Sequence, residues 1–96
     1  MAAALTAPAS VEVGEIISFS VAGATAAGEL DFAIWSEEDD GGIGIGKAKF
    51  TASSGAFDSA GNLEVLANKE GHVHIKVTDV TAVTTDEAIV EVFTTG

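Results

Sequence analysis

The sequence predicts an all-β domain, an immunoglobulin-like β-sandwich of about seven antiparallel strands in Greek-key order. Three observations predict it. Apolar residues recur at every second position in short runs, the period of a strand with one buried face. Gly, Asp, Asn and Ser separate the runs, and these residues favour turns. The chain has 96 residues, 47% of them hydrophobic, enough for one modest core and too apolar for a disordered tail. A single domain over residues 1–96 is expected, its core strands lying between residues 9 and 93.

The elements follow in order along the chain. Val11 and Val13 lead to Gly14, after which Ile17, Phe19 and Val21 alternate with Ser18 and Ser20. In the next strand Leu30, Phe32 and Ile34 share one face, and Asp31, Ala33 and Trp35 share the other. Lys47, Ala48, Lys49 and Phe50 read as a further strand. Phe57, the turn residues Asp58 to Asn62, and Leu63 with Val65 read as a compact hairpin. Val73, Ile75 and Val77 alternate with His72, His74 and Lys76, and Ala88, Val90 and Val92 alternate with Glu91 and Phe93. Residues 22–27 and 81–85 read as flexible corners. The segment 37–46 breaks the rhythm with four acids and a glycine-rich run, and is predicted to be an inserted loop. The expected core is Phe19, Phe32, Trp35, Phe57, Leu63, Val73, Ile75 and Val90.

Composition narrows the function. Four lysines stand against 15 acidic residues, a net charge of −11. Nucleic acid is excluded as a partner, because its binding rests on cationic contacts that release counterions. An anionic membrane surface is disfavoured by the same sign, and no apolar run reaches the ~18 residues of a spanning helix. The absence of cysteine removes disulfides and thiolate zinc sites. Residues 1–8 have neither the basic nor the apolar region of a signal peptide.

Several motifs invite a chemical reading. Gly41 to Lys47 matches all but the last position of a phosphate-binding loop, yet Ala48 replaces the hydroxyl residue and Glu37, Glu38, Asp39 and Asp40 would repel phosphate. The same glycines fall one aspartate short of a calcium nonapeptide, with Gly46 in its place. Ile43 and Ile45, two β-branched apolar residues on a glycine-rich loop, either tuck under the sandwich or meet a partner. Glu37, Glu38, Asp39, Asp40, Ile43 and Ile45 are therefore the candidate partner-binding loop. His72 and His74 project from one strand face and, with Asp39 and Asp40, are the weak candidates for a metal; a plain surface and a pH-sensitive contact are the alternatives, and no metal or cofactor is expected. No nucleophile elbow, cysteine nucleophile or aromatic-lined acid pair is present, so no enzymatic activity is expected.

The stretch from Phe57 to Val77 resembles the closing half of the bacterial Ig-like group 2 domain, with Asp58, Gly61, Leu63, Val65, Gly71, Val73, Ile75 and Val77 on the pattern positions. Upstream, Gly14 and the pair Trp35-Ser36 are similar to that family's glycine and mid-domain Trp-Ser. The similarity runs over residues 9–93 and departs between Glu37 and Gly55, where this chain is longer. The family occurs in phage structural proteins and bacterial surface adhesins. The resemblance thus implies a non-catalytic module that docks through loops or edge strands. A start at Met1 without an export signal favours a virion accessory protein, decorating a capsid or tail in many copies and bound to capsid or tail subunits. The alternative is an adhesin module on the bacterial surface, with a cell-surface ligand, calcium or carbohydrate as its partner.

Overall fold

The computed structural model describes residues 3–37 and 46–95. Among them there is no helix, and ten strands form three sheets. Strands β1 (Ala4–Thr6), β4 (Ser20–Ala22) and β7 (Phe57–Asp58) make a three-stranded sheet in the order β1-β4-β7. Strands β2 (Ser10–Glu12), β10 (Thr84–Phe93), β9 (Gly71–Asp79), β5 (Gly28–Ser36) and β6 (Gly46–Ala52) make a five-stranded sheet in that spatial order. Two residues each of β3 (Ile16–Ile17) and β8 (Val65–Leu66) form a small third sheet.

The long strands arise from the period-2 pattern. In β5, Leu30, Phe32 and Ile34 are buried while Glu29, Asp31, Ala33 and Trp35 look the other way. In β9, Val73, Ile75 and Val77 are buried and alternate with His72, His74, Lys76 and Thr78. Their inner faces meet Ile17, Phe19, Val21, Phe57 and Val65 from the smaller sheets in one apolar cluster, the arrangement of a two-layer sandwich. Its centre is aromatic: the Phe32 ring lies 5.5 Å from Phe19, 4.7 Å from Phe57 and 6.1 Å from Phe50, tilted and edge-on contacts that suit ring quadrupoles.

Four expectations need correction. The first apolar stretch, Val11 to Val21, does not make one or two strands but three short ones, β2 to β4, one in each of the three sheets, and β1 precedes them unforeseen. The expected hairpin at residues 57–65 does not form. Its two arms pair with β4 and β3 instead, because the intervening turn closes on itself through Asn62 N and Leu63 N donating to Ser59 O. Ser59, at the start of that turn, is pinned to the segment before β4 in the same sheet, with Phe19 N donating to Ser59 Oγ and Ser59 N to Phe19 O, both at 2.9 Å. Pairing is not wholly antiparallel, since β2 runs parallel to β10. Thr84 and Thr85, expected in a corner, begin β10.

Two connections position the sheets. Asp79, only 1% exposed, accepts from Thr25 N and Thr25 Oγ1 at 2.8 and 3.0 Å and from Ala82 N at 3.1 Å. One carboxylate thereby ties the turn before β5 to the loop joining β9 and β10. Its pKa is held below the ordinary carboxylate value, first by the Thr25 and Ala82 backbone N–H groups, which stabilise the charged form against the cost of burial. Gly55 has φ +78°, and a Cβ there would stand 2.5 Å from the Ala24 carbonyl oxygen, so this close approach requires glycine. Val83, in the β9–β10 loop, has φ 58° and is 83% exposed, an uncommon conformation for a β-branched residue.

Candidate functional site

The outer face of the five-stranded sheet carries the most organised group of polar and aromatic side chains. Strand register builds it. Trp35 stands opposite His74 across β5 and β9, and Ile89 stands opposite His74 across β9 and β10. Glu91 faces His72 and Glu87 faces Lys76 in the neighbouring rows. Beyond β5, Glu37 N donates to His72 O at 2.8 Å, which carries the β5–β9 pairing one residue further.

At the centre, the Trp35 and His74 rings stack with centroids 4.9 Å apart and planes 12° from parallel. His74 Nδ1 lies 2.7 Å from Glu87 Oε2, and its Nε2 lies 2.7 Å from Glu37 Oε1. The imidazole side chain is 13% exposed while the two glutamates remain open to water, at 56% for Glu37 and 42% for Glu87. Its pKa is raised above the ordinary 6.5, chiefly by the hydrogen bond to Glu87; burial opposes the shift, and Glu37 adds to it. Beside this group, Asp31, Ala33, Lys49, Lys76 and Thr78 line a shallow depression of about 430 Å³. Lys49 is paired there with Glu29 at 3.3 Å and Asp31 at 3.7 Å, exposed contacts that add little stability.

The residues singled out in the sequence fare differently. Trp35, expected in the core, is half-buried on the outer face; the sheet pleat puts it opposite Leu30, Phe32 and Ile34. Leu63 is partly buried at the core margin, and Phe19, Phe32, Phe57, Val73, Ile75 and Val90 are buried. Of the candidate loop, Glu37 is found in the His74 clamp, while Glu38, Asp39, Asp40, Ile43 and Ile45 lie outside the described residues. His72 and His74 share one strand face, but the two ring nitrogens of His74 point to carboxylates on opposite sides. Among the described residues no group of three or more metal-ligating side chains converges. Glu87 was missed by sequence reasoning, although its outward parity on β10 was available as a signal.

No family model matches the chain, and no curated protein matches it. Among solved structures, it is similar to the superoxide reductase (neelaredoxin) from Ignicoccus hospitalis, with a TM-score of 0.64 at 10% identity over 97% of this chain and 81% of that one. The sulfur carrier protein SoxY from Chlorobium limicola f thiosulfatophilum is a more distant likeness, with a TM-score of 0.49 at 16% identity over 96% of this chain and 79% of that one, too remote to bear on the fold. The neelaredoxin likeness is one of fold alone. It nonetheless overturns the virion and adhesin functions drawn from the group 2 resemblance, since the scaffold over nearly all of this chain is similar to that of a superoxide reductase. A fold that hosts an enzyme also gives no support to the expectation that catalysis is absent.

Proposed function

We propose that this chain is a polypeptide-recognition domain that docks a basic, partly apolar segment on the outer face of its five-stranded sheet. The observation that carries this reading is the Trp35–His74 stack gripped by Glu37 and Glu87. Folding does not require it, because the opposite faces of β5 and β9 already supply the core. Ile89 and Phe93, 52% and 38% exposed, extend the apolar centre along β10. Glu37, Glu87 and Glu91 form an acidic rim around it. An aromatic centre inside a polar rim is the anatomy of a protein interface, and a net charge of −11 draws cationic partners. The division of the first strands between layers supports an immunoglobulin-like ordering of the sandwich.

The activity named for the neelaredoxin is not carried over. Reducing superoxide requires a centre that passes single electrons, and protein-held redox metals of that kind take histidine, cysteine and related ligands. This chain has two histidines and no cysteine; His74 is engaged with carboxylates on both sides. These donors do not fit such a centre. The test is a titration with a peptide of alternating lysine and leucine at low salt, followed by backbone amide and indole NMR shifts. Shifts centred on Trp35, His74 and Ile89, with affinity falling as salt rises, are expected. Equal binding of an acidic peptide, or shifts confined to another surface, would refute it.

A further inference from the structure

We propose that Glu37, His74 and Glu87 form a proton-controlled latch: the doubly protonated imidazole ties the end of β5 to β10 across β9, and loss of one proton frees Glu37 and uncovers the edge of the Trp35–His74 stack. The inference rests on the docking reading for its purpose, as regulation of the same face, but on geometry for its existence. Both ring nitrogens face carboxylate oxygens at 2.7 Å. Carboxylates only accept, and a neutral imidazole has one donor nitrogen and one acceptor. A neutral His74 in this arrangement would set a nitrogen lone pair against an oxygen lone pair, so the arrangement belongs to the imidazolium.

The glutamate that leaves is set by position. Glu87 lies within β10, held by the β9–β10 ladder on both sides of it. Glu37 follows the last residue of β5 and has the more exposed side chain, 56% against 42%. The neutral ring therefore keeps its proton on Nδ1 for Glu87 and turns its bare Nε2 toward the departing Glu37. The charged and titratable groups around the ring are Glu37 at the end of β5, Glu87 and Glu91 on β10, and His72 and Lys76 on β9; Asp31 and Lys49 stand further along the face. The acids favour the imidazolium, and Lys76 opposes it. Because the folded state raises the pKa of His74, the latch is closed, and its stabilisation fully present, below the ordinary histidine value. It opens as pH rises through the higher folded value.

The test follows the imidazole nitrogens of the full chain by NMR from about pH 5.5 to 9, with Trp35, the sole tryptophan, reporting through acrylamide quenching. A His74 midpoint above the ordinary value, a neutral form protonated at Nδ1, and quenching that rises over the same pH interval are expected. Glu87→Gln and Glu37→Gln are each expected to lower the midpoint, Glu87→Gln the more. A midpoint at or below the ordinary value, or one unmoved by both variants, overturns the latch. So does quenching that is flat while His74 titrates. The lysine–leucine peptide, titrated on either side of the midpoint, separates the two readings. Affinity that rises as Trp35 opens supports both; peptide binding that is absent at every pH while His74 titrates as described refutes docking and leaves the latch supported.

Discussion

Phe32 and Trp35 lie three residues apart on β5, yet truncating them should have very different consequences, and the difference tests the placement of the whole outer face. Phe32 is 1% exposed and touches three other phenylalanine rings. A buried phenylalanine removes at least about 150 Å² of apolar surface from water, which at about 25 cal/mol per Å² is worth roughly 4 kcal/mol. That falls within the span of about 3–5 kcal/mol found for Phe→Ala in well-packed cores. Trp35 contributes chiefly its stack on His74, worth about 0.5–1.5 kcal/mol, and its other contacts are half open to water. Trp35→Ala should thus cost about 1–2 kcal/mol, and Phe32→Ala at least about 2 kcal/mol more. A domain of this size holds roughly 5–14 kcal/mol in total, so Phe32→Ala should consume a large part of it. Urea unfolding followed by far-ultraviolet circular dichroism measures both without relying on indole emission. A Phe32→Ala chain already unfolded in water counts on the expected side. Equal losses for the two variants would show that Trp35 belongs to the core, and the proposed face would disappear with it.

Other consequences can be checked in the same preparations. Asp79→Asn should destabilise the domain at neutral pH. Because the folded state lowers this pKa, the stabilisation is present above the unfolded value and is lost as pH falls through the folded one, so the variant's unfolding midpoint should vary less with pH in acid than the parent's. Val83→Gly should raise the melting temperature by a few degrees, since relieving a left-handed β-branched residue is worth about 1 kcal/mol and the side chain is 83% exposed. Protein incubated with ferrous iron should show no superoxide reductase activity and no change in melting temperature; a stoichiometric iron complex that reduces superoxide would overturn the conclusion that these donors do not fit a redox centre.

The parts of this fold that were legible in the sequence are those dictated by one strand at a time. Leu30, Phe32 and Ile34, or Val73, Ile75 and Val77, bury a face by simple alternation, whatever they pair with. What alternation does not contain is the partner. Nothing in Phe57, Leu63 and Val65 says that the turn between them folds onto Ser59 and sends its arms to β4 and β3. The same limit hid most of the candidate site. His72 and His74 could be placed on one outward face, whereas the His74 clamp needs β10 to lie beside β9 in a register that brings Glu87 within reach. Trp35 was misassigned because its likeness to the group 2 family's mid-domain tryptophan outweighed parity; its position next to Ile34, which is buried, already put it on the other side. The functional reading drawn from the group 2 resemblance failed for a different reason, since turn glycines and alternating apolar positions describe a sandwich and not what it binds.

The position of β10 has a consequence for how the chain assembles. This strand joins β2 on one side and β9 on the other, pairing Glu91 to Phe93 with Ser10 to Glu12, which are made about 80 residues earlier. During synthesis, everything up to Asp79 emerges while the strand that links β2 to the rest of the main sheet is still missing, so Ser10 to Glu12 lack their sheet partner and β9 exposes a bare, half-apolar border. Closure must wait for residues 84–93 to clear the ribosome, a late event of long loop span. Until then the nascent polypeptide offers an open template to any neighbouring extended segment.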